Sequence, residues 1–532
     1  MTLDELFEES AERRGDEPFL LSEEGSVSYA EALTRAHRLA GLLSALGVRY
    51  GDRVAVILPN VPEMVYSWFA LARLGAAMVP VNPLLVPAEV EPFLRHVGVC
   101  GILGRAEDVA RYGMDLGLRI RVVVGEGEVA GSVPMSAADL AAPVPRAAVT
   151  GRDLATILQT SGTTGRAKGA ELTHDGYVLP AREFVRWMRV TPEDRFLACL
   201  PLFHMAGGAF TASAVAGGAA LALVPKFSAH GFWSQVRKHR VTVARHLGEM
   251  LACLCQLPES PEERGHSLRA VYGGGAKAEV ADAFESRFGA TVVEGYGLTE
   301  TNTVLCNDLA ERRRGAIGRP LPYNEVRIAD AEGRPLPTGQ VGEIQVRRNP
   351  VMMTGYTGLP DVTASCFVDG WFRTGDLGRC DEDGWFYFVS RDKDIIRRRG
   401  ENIFAGKVEE VLNQHPAVAL SAVVAVTDEL GGEEVKAYVI PRSGSRPTPE
   451  ELIELCHLSL ADFEVPRYFE LCDDLPRTPT NKISKGELRA AGTMGKPCFD
   501  RKDNRWRPED EAQPASGASP LSQPLQELQT LA

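Results

Sequence analysis

The sequence predicts an α/β protein with largely parallel sheets, followed by a smaller α+β domain, on three observations. At 532 residues the chain exceeds what one hydrophobic core serves, so two or more domains are expected. Helical and strand patterns alternate along most of it, the arrangement that buries a parallel sheet between helices. Past residue 391 the pattern becomes a compact run of helix, strand, strand and helix, about a hundred residues long and so an ordinary domain size.

Taken in order, apolar residues recur at helical spacing over residues 4–13 and 29–46, the second run stopped by Gly47. Short apolar runs at 54–58, 122–124, 221–224 and 270–272 are each bounded by Gly, Pro or Asp and read as buried strands. Between 326 and 346 strand patterns with Gly/Pro turns indicate a smaller β-rich layer. A strand over 385–389 leads into the charge-dense stretch 391–399, and the second domain is expected to begin near Asp392. Helix 407–413, strands 421–426 and 434–440 and helix 449–460 follow. From Gly495 the composition shifts to Pro, Ser, Gln and charge, without apolar periodicity. The expected boundaries are therefore 1–391 and 392–494, with 495–532 a disordered and dispensable tail.

Composition narrows the function. A net charge of −13 argues against nucleic acid as a partner, because phosphate backbones demand a basic footprint. The ten cysteines are scattered, and the close pair Cys253 and Cys255 lacks a metal-binding spacing, so reduced, incidental thiols are expected. The N-terminus carries acid where a secretory signal would carry base, and the most apolar stretch, 210–225, is too short to span a bilayer. A cytoplasmic protein is expected.

Five segments carry chemistry. In Leu158-Gln-Thr-Ser-Gly-Thr-Thr-Gly-Arg-Ala-Lys-Gly169, Gly162, Gly165 and Gly169 let the backbone approach a ligand. Ser161, Thr163 and Thr164 add hydroxyls and Lys168 a charge, together a cradle for polyphosphate. It is not a Walker loop, since Ala167 stands at that motif's second glycine and Gly169 follows the lysine; a Gly/Ser surface loop is the competing reading. In Val271-Tyr-Gly-Gly-Gly-Ala-Lys277, a strand runs into glycines before a helical stretch, 278–288. With Glu294 ending the next strand it imitates a dinucleotide fingerprint, but a lone mid-domain match is weak.

The third segment, Glu294-Gly-Tyr-Gly-Leu-Thr-Glu300, sets the flat ring of Tyr296 between Gly295 and Gly297, where a purine could stack. Thr299 and Glu300 then offer a hydroxyl and a carboxylate for phosphate and Mg²⁺. Downstream, Trp371-Phe-Arg-Thr-Gly-Asp376 places an acid after a tight turn, suited to ribose hydroxyls, although a turn aspartate is commonplace. In the fourth, Arg391-Asp-Lys-Asp394 precedes Arg397-Arg-Arg-Gly-Glu-Asn-Ile403, where three arginines form either a solvated face or a phosphate contact. The fifth is the Pro-punctuated Leu475-Pro-Arg-Thr-Pro-Thr-Asn-Lys482-Ile-Ser-Lys485.

In this order and spacing, over about residues 1–490, the segments resemble the adenylate-forming (AMP-binding) superfamily of acyl-CoA synthetases, luciferases and adenylation domains. Ser28-Tyr29 and Gly51-Asp52-Arg53-Val54 look like the family too. The runs Ile396-Arg-Arg-Arg-Gly-Glu-Asn-Ile403 and Leu475-Pro-Arg-Thr-Pro-Thr are most similar to the crotonobetaine/carnitine-CoA ligase-like branch. The resemblance implies a large N-terminal domain of two α/β subdomains plus a β-rich subdomain, with a small mobile α+β C-terminal domain. It implies ATP, Mg²⁺ and coenzyme A as cofactors and a small carboxylic acid as substrate. Thr163, Thr164 and Lys168 would hold the β/γ-phosphates, with Ser161, Gly162 and Gly165 in the same loop, and Glu300 would bind Mg²⁺. Tyr296 would pack on adenine beside Gly274, Gly275 and Ala276, within Gly295–Gly297 and Thr299. Asp376 and Arg391 would hold the ribose. Lys482 would bridge the carboxylate and α-phosphate, Lys393 would be the hinge, and Gly400 with Glu401 would line the pantetheine tunnel. His204, Met205, Gly207 and Gly273 would contribute to the acid pocket.

Three positions depart from the family pattern: Asn481 before the lysine, Arg399 before Gly400, and Phe404-Ala-Gly-Lys407. An acid–CoA ligase is the expected function. The alternative is a stand-alone adenylation enzyme loading a carrier protein. Pro201-Leu-Phe-His204 is followed by Met205, Ala206 and Gly207 where amino-acid activators place an Asp, which disfavours an amino-acid substrate. A nucleotide-binding relic is disfavoured by the presence of Lys482, Glu300 and Asp376.

Overall fold

The structure is a computed structural model, and it describes residues 1–85, 87–113, 116–160, 167–391, 394–398, 401–427, 433–478, 483–492 and 497–507. Two compact units emerge, Met1–Thr374 with Gly378–Phe388, and Gly375–Leu377 with the chain from Val389 onward.

In the first unit, two large sheets have parallel centres, as hydrophobic runs separated by helices require; the nine-stranded sheet is antiparallel at both edges and the eight-stranded sheet at one. The eight-stranded sheet is ordered Gly355–Tyr356, Lys168–Thr173, Leu154–Thr160, Ala77–Pro80, Arg53–Ile57, Gly101–Gly104, Ile120–Val123, Val133–Pro134. The nine-stranded sheet runs Arg319–Pro320, Asn302–Cys306, Thr291–Leu298, Ala270–Gly274, Val243–Leu247, Arg195–Ala198, Ala220–Leu223, Pro18–Ser22, Gly25–Ser28. A smaller antiparallel sheet of Val326–Ala329, Gly342–Arg347, Trp371–Cys380, Phe367–Val368 and Phe386–Arg391 forms the β-rich layer.

Local chemistry starts the first two helices. Leu3–Arg14 begins at a capping box in which Glu5 and Thr2 satisfy each other's backbone N–H, and Ser28 with Glu31 repeats the device at Tyr29–Ala45. Ser28 and Tyr29 are thus structural: the buried Tyr29 hydroxyl donates to the Ala219 carbonyl at 2.8 Å. Asn60, just past strand Arg53–Ile57, ties the two large sheets together. Its amide nitrogen lies 3.0–3.1 Å from the carbonyls of Ala198, Leu200 and Val224, and its oxygen accepts from Leu202 N–H at 2.8 Å. The turn leading to His204 is therefore fixed by one buried side chain from the other sheet.

In the second unit a hairpin, Ile395–Arg398 with Glu401–Phe404, precedes helix Ala405–Asn413. Strands Val418–Thr427, Glu433–Pro441 and Tyr468–Leu471 then build a sheet against helix Pro449–Ser459. That sheet continues through Cys498–Asp500 and Arg505–Arg507, which corrects the expectation of a disordered tail from residue 495. Composition hid these strands because one is held by charge: Asp500, fully buried, takes a bidentate bond from Arg467 at 3.1 Å, while Phe499 packs inward. Residues 508–532 lie outside the described residues.

Two local expectations are also corrected. Asp376 follows no tight turn but lies within the continuous strand Trp371–Cys380, where Gly375 takes φ +67° and Asp376 is buried. Glu294 does not end a strand; Thr291–Leu298 continues past it, because its glycine-flanked end pairs antiparallel with Asn302–Cys306. The apolar stretch 210–225 is the end of helix Met205–Gly217 followed by strand Ala220–Leu223. Among the described residues no helix is long and apolar enough to cross a membrane.

Candidate functional site

The glycine-rich loop falls between the paired strands Leu154–Thr160 and Lys168–Thr173, with Thr160 opposite Lys168. Ser161, Gly162, Thr163, Thr164 and Gly165 lie outside the described residues. Lys168 is placed by the strand, and its Nζ sits 4.9 Å from the ring centre of Tyr356. Tyr356 belongs to the two-residue strand Gly355–Tyr356, which pairs with the strand of Lys168. Its hydroxyl donates to Glu300 Oε1 at 2.8 Å, and Glu300 O accepts from Met353 N–H. One tyrosine thus clasps a cation on one side and a carboxylate on the other, joining Lys168 and Glu300, 132 positions apart, which the sequence had related only by order. Burial and the neighbouring Glu300 both push the Tyr356 hydroxyl far above its ordinary range, so it stays a donor.

Thr299 and Glu300 form the turn between Thr291–Leu298 and Asn302–Cys306. Gly297 cannot carry a side chain, since a Cβ there would stand 2.0 Å from Asn302 O. Tyr296 is partly buried, its ring 6.5 Å from that of Phe388. Gly295 lies against the Tyr272 hydroxyl. The neighbouring parallel strand, Ala270–Gly274, ends in the Gly274-Gly275-Ala276 turn, where Gly275 takes φ +83°. Ala276 N–H donates to Glu294 Oε1 at 3.3 Å, so the two glycine segments are locked together.

Glu294 also faces His246, Nε2 to Oε1 at 3.5 Å, with His246 buried and Glu294 largely so. Burial pushes the Glu294 carboxyl up to about 7 against its ordinary 4.5, outweighing the backbone N–H groups that favour the anion. Burial, helped by the adjacent Arg245 charge, pulls His246 down to about 3. Near pH 6 the pair is therefore a protonated carboxyl beside a neutral imidazole. The folded state holds the Glu294 proton more tightly than the unfolded one, so this contribution is present below about pH 4.5 and lost as pH rises through 7. His246 acts oppositely, costing stability as pH falls from 6.5 towards 3. Thermal melts from pH 5 to 8 are expected to show the wild type losing up to about 3 kcal/mol relative to Glu294→Gln. Parallel curves would remove Glu294 as the source.

His204 precedes helix Met205–Gly217 and lines an apolar cavity of about 10 Å³ with Met64, Trp68, Tyr177 and Leu202. Met205 is buried in the core, and Gly207 closes the turn, since a Cβ on it would stand 2.4 Å from Pro201 O. Gly273 is likewise taken up by close packing on the His246 carbonyl. The two glycines are taken up by close backbone packing and Met205 by the core, and His204 is the one of the four that lines this cavity.

Asp376 is buried, and Arg391 ends strand Phe386–Arg391. Glu401 begins the second strand of the hairpin. Lys393, Gly400 and Lys482 lie outside the described residues. Lys485 opens helix Lys485–Ala490 and pairs with Glu409 at 2.6 Å. Tyr356, Asn60 and the Arg245–His246 pair carry no motif of their own. A two-residue strand leaves no periodicity to detect.

Comparison with known proteins agrees with this geometry. The family model described as AMP-binding enzyme matches residues 7–357, and that described as AMP-binding enzyme C-terminal domain matches 407–482. Over 509 residues the chain is 34% identical to a crotonobetaine/carnitine–CoA ligase of Salmonella paratyphi A, covering 92% of this chain and 98% of the relative. The ATP-bound MatB of Rhodopseudomonas palustris superposes with a TM-score of 0.83 at 30% identity, over 92% of this chain and 98% of that one. A benzoate CoA ligase of Burkholderia xenovorans gives 0.84 at 25% identity, over 92% and 100%.

Proposed function

We infer the roles of individual residues from one premise: this chain belongs to the AMP-binding enzyme family and is an ATP-dependent acid–thiol ligase, joining a carboxylic acid to coenzyme A through an acyl-AMP. In the first step a carboxylate oxygen attacks the α-phosphorus of ATP, and the bond to pyrophosphate breaks. In the second the coenzyme A sulfur attacks the acyl carbon, gives up its proton, and displaces AMP.

The Tyr356 clasp supports the phosphate end of this reading most directly. Lys168 and the hydroxyls of Ser161, Thr163 and Thr164 take the β/γ-phosphates. Glu300 suits Mg²⁺: one oxygen is held by Tyr356, and among the described residues no side-chain cation pairs with the carboxylate. Mg²⁺ held by Glu300 would supply charge neutralisation at the phosphates. Tyr296 and the Gly274–Ala276 turn flank the adenine, and Asp376 with Arg391 takes the ribose. Lys482 bridges the carboxylate and the α-phosphate, Lys393 is the hinge, and Gly400 with Glu401 borders the pantetheine path. His204 stands at the acid side. The relatives named above act on acids as unlike as carnitine and benzoate, so the acid here must be read from this chain's own side chains.

ATP–pyrophosphate exchange titrated with Mg²⁺ tests the clasp. Tyr356→Phe keeps the ring under Lys168 but removes the bond to Glu300, and is expected to raise the Mg²⁺ midpoint about tenfold. An unchanged midpoint would sink the Glu300 assignment. Mass spectrometry of the products checks the acceptor: thioester on coenzyme A is expected, and acylation of a carrier protein alone would contradict it.

A further inference from the structure

Arg245 stands on strand Val243–Leu247 directly beside Tyr272 of the neighbouring parallel strand, its guanidinium 4.9 Å from the centre of the Tyr272 ring. Phe184 and Trp187 pack edge-on against the same ring, at 5.2 and 4.9 Å. Several other buried or part-buried arginines have carboxylates: Arg73 has Asp4 and Glu8, Arg269 has Asp194, Arg287 has Glu263 and Arg467 has Asp500. Arg245 has none among the described residues. The titratable groups acting on it are Tyr272, Cys306 and Cys199, which burial keeps neutral. Two further buried donors in this neighbourhood, Trp187 Nε1 and the Tyr323 hydroxyl, have no acceptor among the described residues.

A cation–π contact is worth about 0.5–2 kcal/mol, whereas an enclosed charge without a counter-ion costs several. The aromatic ring by itself therefore leaves this part-buried guanidinium less stabilised than an arginine paired with a carboxylate. Tyr272 immediately precedes Gly273–Ala276, and its hydroxyl end abuts Gly295. One ring thus links Arg245 to the segment that carries Tyr296 and Glu300.

We propose that Arg245 receives a second carboxylate on the acid substrate, at the end remote from the one that is activated, so that the enzyme's substrates are dicarboxylic acids. This rests on the reading above, in which Gly273–Ala276 and Gly295–Glu300 frame the adenylation site. The planar fork of Arg245 takes the remote carboxylate in two parallel hydrogen bonds, a geometry that lysine cannot supply. An acid lacking that group leaves the guanidinium desolvated and unpaired, which is the strongest kind of discrimination a binding site can exert.

The test compares linear dicarboxylic acids with monocarboxylic acids of equal chain length, by pyrophosphate exchange and by thioester formation. For the wild type, kcat/KM is expected to favour the best diacid by about 100-fold over its matched monoacid. In Arg245→Met that ratio should collapse to near one or invert. In Arg245→Lys, which keeps the charge but not the fork, it should fall to an intermediate value. Without ligand, Arg245→Met should melt above the wild type, because an uncompensated charge has been removed, and a dicarboxylate that raises the wild-type melting temperature should leave it unmoved. A wild type that prefers monoacids, or an Arg245→Met that slows both acids in equal proportion, overturns the proposal while leaving the ligase reading intact. Failure of every acid to support exchange or thioester formation overturns the ligase reading, and this proposal with it.

Discussion

Replacing Lys482 with alanine is expected to cut acyl-AMP formation by about 100- to 1,000-fold, the loss typical when one charge contact to a transition state is removed. Carboxylate attack concentrates negative charge around the α-phosphorus, and a fixed ammonium stabilises that arrangement above the ground state. The resemblance puts the bridging lysine before an aliphatic residue, which Lys482-Ile483 fits and Lys485-Gly486 does not. The structure occupies Lys485 elsewhere: its Nζ is bound to Glu409 at 2.6 Å, at the start of a helix. Lys485→Ala should therefore change either half-reaction less than about tenfold, through lost packing alone. Lys482→Ala should still convert supplied acyl-AMP and coenzyme A to thioester, because the resemblance implies that the second step uses a rotated small domain, with Lys393 as the hinge, in which Lys482 has left the site. Assaying both half-reactions for both variants decides the register. Adenylation lost in Lys485→Ala but kept in Lys482→Ala would reverse it.

Truncation before Cys498 is expected to unfold the C-terminal unit, whereas truncation after Arg507 should leave melting temperature and turnover nearly unchanged. The shorter chain loses Phe499 from the core and strips Tyr468–Leu471 of one of its two pairing strands. It also takes the Asp500 carboxylate away from Arg467, which is 3% exposed. Removing one member of such a buried pair typically costs about 3–5 kcal/mol, a large part of a small domain's stability. Thermal melts of the two truncations, with Asp500→Asn as a finer probe, measure it. Equal melting of the two would mean the strands Cys498–Asp500 and Arg505–Arg507 contribute nothing.

Much was legible before any coordinates. Helices Leu3–Arg14, Tyr29–Ala45 and Ala278–Phe288 are strongly periodic, and the expected bounds come within a residue of those observed. The glycine segments were visible because only glycine meets their backbone demands: Gly275 at positive φ, Gly297 against Asn302. The final strands were missed because Asp500 and Arg505 to Arg507 spell polarity, and a local pattern cannot tell a solvated charge from one paired inside. Helix Ala405–Asn413 began two residues before its expected start, within the usual fraying of such boundaries.

The sequence by itself determined the α/β architecture and the order of the five motif segments, and through their resemblance to the adenylate-forming superfamily the reaction, since those segments live in residue type and local spacing. The tertiary structure alone decided which side chains meet. It set Tyr356 between Lys168 and Glu300, made Asn60 the tie behind His204, and put Arg245 against Tyr272 with no carboxylate partner among the described residues. Those relations join residues tens to hundreds of positions apart. Their energies depend on burial and on what lies within about 4 Å, quantities that no window along the chain contains.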